Sequence, residues 1–450
     1  MIKVITYGTF DLFHEGHRRL LKRARELGDY LIVGVTTENY DDSRGKLNVQ
    51  ENLMKRIENV KASGLADEII IEEYEGQKIN DILKYKIDIF AIGSDWLGKF
   101  DYLKEYCKVI YLERTKGISS TQLRTANYGI LKLGIVGYGR IANRFIAESK
   151  FVSGLNIEGV YGLNEESLQS FVKKYELDFY SLDYEDFLDK LDAVYIASPH
   201  LAHYDYIKKA IHHNKHVLCE KPMVLSANQS EELYNLAEKN GCVLLEAIKT
   251  AYAPGFNRLI SLAKSGLIGE IKAVDATFTK LVSGDIRELD KFSAGGSVTE
   301  LASYPLLAII KLLGIEFTDI DFYSYFDKDK EVDIYTKIIL KYRHAIATAN
   351  VGLGVKSEGE LIISGTNAYI YVPSPWWKTE YFEIRYEDFR SNKKYYYKFD
   401  GDGLRYEIAE FVSMINQRES QTYKLSPKES STIHRVIERF MSNMGINRIY

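Results

Sequence analysis

Short runs that are apolar almost throughout punctuate the first part of the chain. Lys3–Gly8, Tyr30–Val35, Glu68–Ile71, Ile87–Ile92 and Val109–Leu112 have the length and β-branched content of strands buried on both faces. Between them lie segments with apolar residues at helical spacing: about His17 to Leu27, Leu53–Ser63 and Gln77–Lys84. Strand–helix alternation predicts a small doubly wound parallel sheet. The grammar restarts at Leu131–Val136, followed by Gly137 and a helix from about Ile141. Ile157–Tyr161, Ala193–Ala197, His216–Cys219 and Cys242–Glu246 continue it. Beyond about Tyr252 longer strands take over: Ile271–Leu281, Asp319–Tyr325, Tyr335–Tyr342, Ala345–Val351, Glu360–Ser364 and Ala368–Val372. They predict a mostly antiparallel sheet, closed by helices near Arg405–Asn416 and Lys428–Ser442, with Tyr395–Tyr397 as a further β segment. The expected fold class is α/β: a small doubly wound domain (1–129), a dinucleotide-type α/β domain (130–252) and an attached α+β sheet domain (253–450). The first break falls between Thr125 and Ile130, where Tyr128-Gly129 separates a helix end from a new strand.

A length of 450 residues fits this division, because one core rarely serves so long a chain. The net charge of −4 lacks the basic excess of a nucleic-acid binder. The basic positions Arg18, Arg19, Lys22, Arg23 and Arg25 are flanked by acids and read as a solvated helix face. Three unevenly placed cysteines, Cys107, Cys219 and Cys242, argue against a disulfide framework and fit a reducing cytoplasm. The first residues carry no signal-peptide pattern. The apolar stretch Leu306–Ile315 is interrupted by Lys311 and is too short for a bilayer. The expectation is a cytoplasmic protein without nucleic-acid or membrane partners.

The first candidate chemistry follows the first strand. Gly8-Thr9-Phe10-Asp11 leads to His14-Glu15-Gly16-His17 at a helix start. Two histidines three apart can face one pocket, where backbone N–H groups and the helix dipole favour phosphate. They can equally be plain helix caps. After the last strand of this domain comes Arg114-Thr115-Lys116-Gly117-Ile118-Ser119-Ser120-Thr121. Ser119 with Gln122 fits a capping box; the arginine and hydroxyls also fit a cradle for outer phosphates. Together with GSDWLGKFD at Gly93–Asp101, these segments resemble the glycerol-3-phosphate cytidylyltransferases over roughly residues 1–126. The resemblance implies CTP and Mg²⁺, a phosphorylated alcohol as acceptor, and pyrophosphate as product. It implies that His14 and His17 stabilise the α-phosphate transition state, and that Lys46 and Arg114 neutralise the triphosphate. Gly8, Thr9 and Phe10 would line the nucleotide loop, Thr115, Ser119, Ser120 and Thr121 the phosphates, and Asp11, Arg56 and Trp96 the acceptor. Glu15 in place of an aromatic residue, and Ser94-Asp95 in place of two acids, set this chain apart at the acceptor.

The second candidate is Gly137-Tyr138-Gly139-Arg140-Ile141-Ala142, a GxGxxA variant of the dinucleotide fingerprint after a strand. With Ser198, the Glu220-Lys221-Pro222 motif and Gly295-Gly296…Tyr304-Pro305, it resembles the glucose–fructose oxidoreductase and inositol dehydrogenase family over about Leu131–Tyr450. The resemblance implies hydride transfer between a nicotinamide and a sugar or polyol carbon. It implies that Lys221 holds the reacting oxygen, that Tyr304 is the acid/base, and that Gly137–Ile141, Ser198 and Glu220 contact the cofactor. Glu300 stands where aspartate is usual, Ala302 where glycine is, and Ala251 where an arginine is common. The strand end at Tyr161-Gly162-Leu163 carries no acid where NAD enzymes usually bind the ribose hydroxyls, and Asn164 follows instead, which favours NADP(H) over NAD. His203 lies near the cofactor loop, in reach of substrate or of a structural hydrogen bond. His200, His203, His212, His213 and His216 have no matching carboxylate or cysteine set, so no metal site is expected.

Both resemblances on one chain suggest consecutive steps. The expected reaction joins CTP to a ketose phosphate, best fructose 6-phosphate, and reduces the keto group with NAD(P)H. The product is a CDP-alditol, CDP-glucitol, for capsule or teichoic-acid-like polymer. The alternatives are CDP-ribitol or CDP-glycerol synthesis with reduction before transfer, or a second domain that only senses sugar or cofactor. Both families often self-associate, so a homo-oligomer is expected.

Overall fold

The computed structural model describes residues 1–43, 45–113 and 130–449. They divide into two compact units: Met1–Gly134 with Asn143–Leu191, and Ile135–Ala142 with Asp192–Tyr450. The fold is α/β, with parallel strands early in the chain and a mixed sheet toward its end.

In the first unit five parallel strands are ordered Glu68–Glu72, Tyr30–Thr36, Lys3–Gly8, Ile89–Gly93, Lys108–Leu112. Successive residues of a strand face opposite sides, and both sides are apolar. Val4, Leu31, Val33 and Val35 pack with Leu21, Ala24 and Val60 on one face. Ile5, Tyr7, Ile32 and Phe90 pack with Ile82 and Leu103 on the other. This two-sided cover explains why the strands read as continuous apolar runs. The first helix spans Glu15–Arg25 and so starts two residues before the expected His17. The same unit holds Leu155–Tyr161 paired in parallel with Phe179–Ser181.

In the second unit Leu244–Ala247, His216–Glu220 and Ala193–Ile196 pair in parallel, in that order. A nine-stranded sheet follows, ordered Lys393–Tyr396, Tyr381–Tyr386, Ala368–Val372, Leu361–Gly365, Ile271–Thr279, Ile346–Gly352, Asp333–Lys341, Asp319–Phe326, Ile446–Ile449. Its pairs are antiparallel except two: Ile271–Thr279 with Ile346–Gly352, and Asp319–Phe326 with Ile446–Ile449. The helix Ser303–Leu313 is apolar nearly all round because it is buried nearly all round. No single described helix is long and apolar enough to cross a membrane.

One buried acid supports the second site from below. Asp333 accepts from the Val298 N–H (3.0 Å) and the Thr336 hydroxyl (2.8 Å) under the short helix Ser297–Leu301. Burial pushes its carboxyl up to about 7. An acid with a native pKa above its unfolded value holds its proton more tightly when folded. Its contribution to stability is therefore full below about pH 4 and lost as pH rises through 7, by roughly 2–4 kcal/mol. Asp333→Asn should flatten that part of the profile, read as Tm at pH 5 and pH 8.

Candidate active sites

The first site is built on a strained turn. After the strand Lys3–Gly8, Phe10 (φ +52°) and Leu12 (φ +46°) adopt left-handed backbone, rare for bulky residues and common at functional loops. The turn delivers the chain to His14, the N-cap of Glu15–Arg25. Nδ1 of His14 accepts from the Gly16 N–H at 3.1 Å, and Nδ1 of His17 accepts from the His14 N–H at 3.5 Å. The two histidines therefore do cap the helix. Capping also does chemical work. Nδ1 is the acceptor in both rings, and the neutral His17 imidazole carries its proton on Nε2 and keeps that N–H as a donor. The rings stack with centroids 3.9 Å apart, and His17 packs against Phe10 and Phe13. Burial, then the neighbouring His14 and Lys46, hold the His17 imidazole well below its usual pKa, so it is neutral at pH 7. An Nε2–H donor at a helix N-terminus suits charge growing on a phosphate.

Gly16 is required by this geometry, because a Cβ there would lie 2.8 Å from Cε1 of His14. Gly16→Ala should push the His14 ring out of the cap and lower CTP-dependent pyrophosphate release by at least about tenfold. Steady-state pyrophosphate assays at saturating CTP check this.

Asp11 and Arg56, both expected beside the acceptor, hydrogen-bond to the loop backbone. The Asp11 carboxylate accepts from the N–H groups of Gln50 and Glu51 at 2.8–3.1 Å. Arg56 is fully buried. It donates to the carbonyls of Thr9 and Thr36 (both 2.8 Å) and Glu51 (2.9 Å), and lies 3.6 Å from Asp41. Asp41 in turn accepts from the Thr9 and Thr36 hydroxyls. Gly8 and Thr9 enter the turn that this network holds. Lys46 donates to the carbonyl of Lys150 at 2.9 Å. Trp96 follows the strand Ile89–Gly93 and stands beside Phe100 and Phe151. Arg114, Thr115, Ser119, Ser120 and Thr121 lie outside the described residues.

The second site lies at the ends of the parallel strands of the second unit. Gly137 has φ +98°, and a Cβ there would meet the Ala197 carbonyl oxygen at 2.9 Å. Only glycine keeps that turn open, which fits a dinucleotide phosphate passing over it. Tyr138 and Gly139 continue the turn, Ile141 lies in the helix Arg140–Ser149 that follows, and Arg140 pairs with Glu288 at 3.4 Å. Ser198 and Pro222 face each other across His203, whose Nε2 and Nδ1 lie 2.8 and 3.0 Å from their carbonyl oxygens. His203 is wholly buried, with a backbone carbonyl beside each ring nitrogen.

Lys221 donates to the carbonyl of Glu300 (3.0 Å) and sits 6.0 Å from the centre of the Tyr304 ring. The Tyr304 phenol is pushed up by burial and then by Glu220 and Glu407, so it stays protonated across the physiological range. Burial also raises the Glu220 carboxyl, opposed by Lys221, and Glu220 accepts from the Tyr195 hydroxyl at 2.6 Å. The Glu300 carboxylate takes the Arg287 guanidinium at 2.8–3.1 Å and stands 3.8 Å from Nδ1 of His200. His200 is held well below its usual pKa by burial and then by Lys221. Arg287 and His200 are the members of this cluster that sequence reading had not assigned. Their partner is about a hundred residues from His200, and no local motif links them. A Cβ on Gly296 would fall 2.2 Å from Oδ1 of Asp333, so that glycine lets Ser297–Leu301, and Glu300 with it, settle on the sheet. A protonated phenol beside an ammonium can polarise a carbonyl and deliver a proton to it. Among the described residues no group of three or more His, Cys, Asp or Glu converges as a metal-ligand set.

Comparison with known proteins matches separate stretches of the chain to separate families. Residues 5–126 match the cytidylyltransferase-like family. Residues 131–247 match the oxidoreductase family with an NAD-binding Rossmann fold, and 256–371 the GFO/IDH/MocA C-terminal domain. The glycerol-3-phosphate cytidylyltransferase of Bacillus spizizenii is 54% identical over 124 residues, covering 28% of this chain and 95% of that protein. The NADP(+)-dependent scyllo-inositol 2-dehydrogenase of Bacillus subtilis is 26% identical, covering 70% of this chain and 98% of that protein. A 3-ketoreductase from Actinomadura kijaniata, solved with NADP and TDP-benzene, shares the fold at a TM-score of 0.64 and 20% identity, over 71% of this chain and 99% of that one. The chain thus belongs to the cytidylyltransferase-like family through residues 5–126 and to the GFO/IDH/MocA oxidoreductases through residues 131–247 and 256–371, and it is a bifunctional enzyme with nucleotidyltransferase and oxidoreductase activities.

Proposed function

We propose that this enzyme makes a CDP-linked alditol from CTP, a ketose phosphate and NADPH. One observation carries the reading: a paired-histidine transfer site and a Lys221–Tyr304 carbonyl site occur on one chain. Glycerol 3-phosphate is already an alcohol and offers nothing to reduce, whereas a ketose phosphate does. In the first step a phosphate oxygen of the sugar attacks the α-phosphorus of CTP, and the bond to pyrophosphate breaks. His14 and His17 donate from Nε2 to the charge that develops, and Lys46 neutralises the triphosphate, which brings Mg²⁺ with it. In the second step Lys221 polarises the keto oxygen and Tyr304 protonates it. A bound nicotinamide supplies the hydride, held by Gly137–Ile141, Ser198 and Glu220. NADP(H) is favoured because the strand end Tyr161-Gly162-Leu163 carries no acid, and Asn164, the cap of the helix Glu165–Tyr175, takes the next place. The inositol dehydrogenase relative is likewise named for NADP(+).

Fructose 6-phosphate is the preferred acceptor, giving CDP-glucitol for a bacterial surface polymer, and ribulose 5-phosphate is the next. Mass analysis after incubation with CTP, fructose 6-phosphate and NADPH should find a CDP-hexitol, two hydrogens heavier than CDP-fructose. CDP-fructose alone, with NADPH intact, would remove the reductive half of the reading.

A further inference from the structure

Stand-alone cytidylyltransferase relatives are spanned almost end to end by the first part of this chain, so they have no counterpart to residues beyond it. Here a four-residue segment of the oxidoreductase-family match, Lys150–Ser153, packs on the transfer site within the same compact unit. Lys150 touches both substrate loops. Its carbonyl accepts from Nζ of Lys46 at 2.9 Å, and its own Nζ donates to the Asp95 carbonyl at 2.7 Å. The Phe151 carbonyl accepts from the Leu47 N–H (2.6 Å), and the Ser153 N–H donates to the Leu47 carbonyl (2.9 Å). Leu47 and Val152 thereby form an isolated parallel bridge. The Phe151 ring meets Trp96 edge-on at 6.1 Å, and the Lys99 ammonium lies 4.7 Å from the Trp96 ring and 5.5 Å from that of Phe151. Ser94, beside Asp95, donates to Glu176 at 2.7 Å. The loop carrying Lys46 and the loop carrying Trp96 are thus fixed by one segment foreign to the transferase family.

We propose that Lys150 and Phe151 are positioning residues of the cytidylyl-transfer site, setting the triphosphate-facing Lys46 loop against the acceptor-facing Trp96 loop. The proposal rests on the reading of the first site as a CTP-dependent transferase. Misplacing substrate-holding groups by about an ångström costs up to ~10² in rate. Lys150→Ala and Phe151→Ala should raise the KM for the acceptor phosphate about tenfold, with a smaller change in kcat. Lys150→Arg should restore most of the loss. NADPH oxidation with a preformed CDP-ketose should stay parental, reporting an intact fold. If either alanine variant loses NADPH oxidation, Glu176→Gln, which weakens the Ser94 tie, carries the test and should raise the acceptor KM in the same direction. Acceptor and CTP KM values at parental levels in the folded variants would overturn the proposal. If the parent itself releases no pyrophosphate from CTP with any acceptor, the transferase reading fails instead.

Discussion

His17→Ala is expected to cut CTP-dependent pyrophosphate release by about 10²–10³-fold while NADPH oxidation continues at the parental rate. The size follows from what the ring does. It is neutral at pH 7, its Nδ1 is spent on the His14 N–H, and its Nε2–H is the group left to meet phosphate charge. Alanine removes that donor and also the ring on which His14 stacks. Steady-state pyrophosphate release and NADPH consumption on the same preparation separate the effects. Loss of both would identify His17 as a residue of folding.

Lys221→Ala carries the second large effect. NADPH oxidation should fall by about 10²–10⁴-fold, in the range of a lost proton-transfer group, with pyrophosphate release unchanged. Lys221 is tied to the Glu300 carbonyl and lies beside the Tyr304 ring, so its charge sits where a reacting oxygen would need it. Undiminished NADPH oxidation would mean that the chemistry lies elsewhere and would favour a sensing role for the second part.

Both variants alter residues that could be found in the sequence, and the reason is local. His14 and His17 share one helix turn, so their spacing sets them toward one pocket, and Lys221 stands in a contiguous Glu220-Lys221-Pro222 motif that carries a family resemblance. Arg56 shows the opposite case. Its buried contacts reach Thr9, Thr36 and Asp41, partners brought together only by the sheet, so this network could not be read from the sequence. The Arg287–Glu300–His200 cluster was hidden for the same reason. Strand positions were legible because two-sided burial makes apolar runs, but strand direction was not. Nothing in the alternation of Ile271–Thr279 or Ile346–Gly352 distinguishes their parallel pairing from an antiparallel one. The edge strand Ile446–Ile449, largely exposed, left no apolar run to read.

The central claim is that the two sites act in succession on one sugar. The most direct measurement is pyrophosphate release from CTP across a panel of ketose, aldose and polyol phosphates, followed by NADPH consumption in the same tubes. The account predicts that a ketose phosphate releases pyrophosphate and that its CDP product then consumes NADPH in equal amount. Pyrophosphate release with glycerol 3-phosphate alone, and no NADPH consumed in any tube, would contradict it.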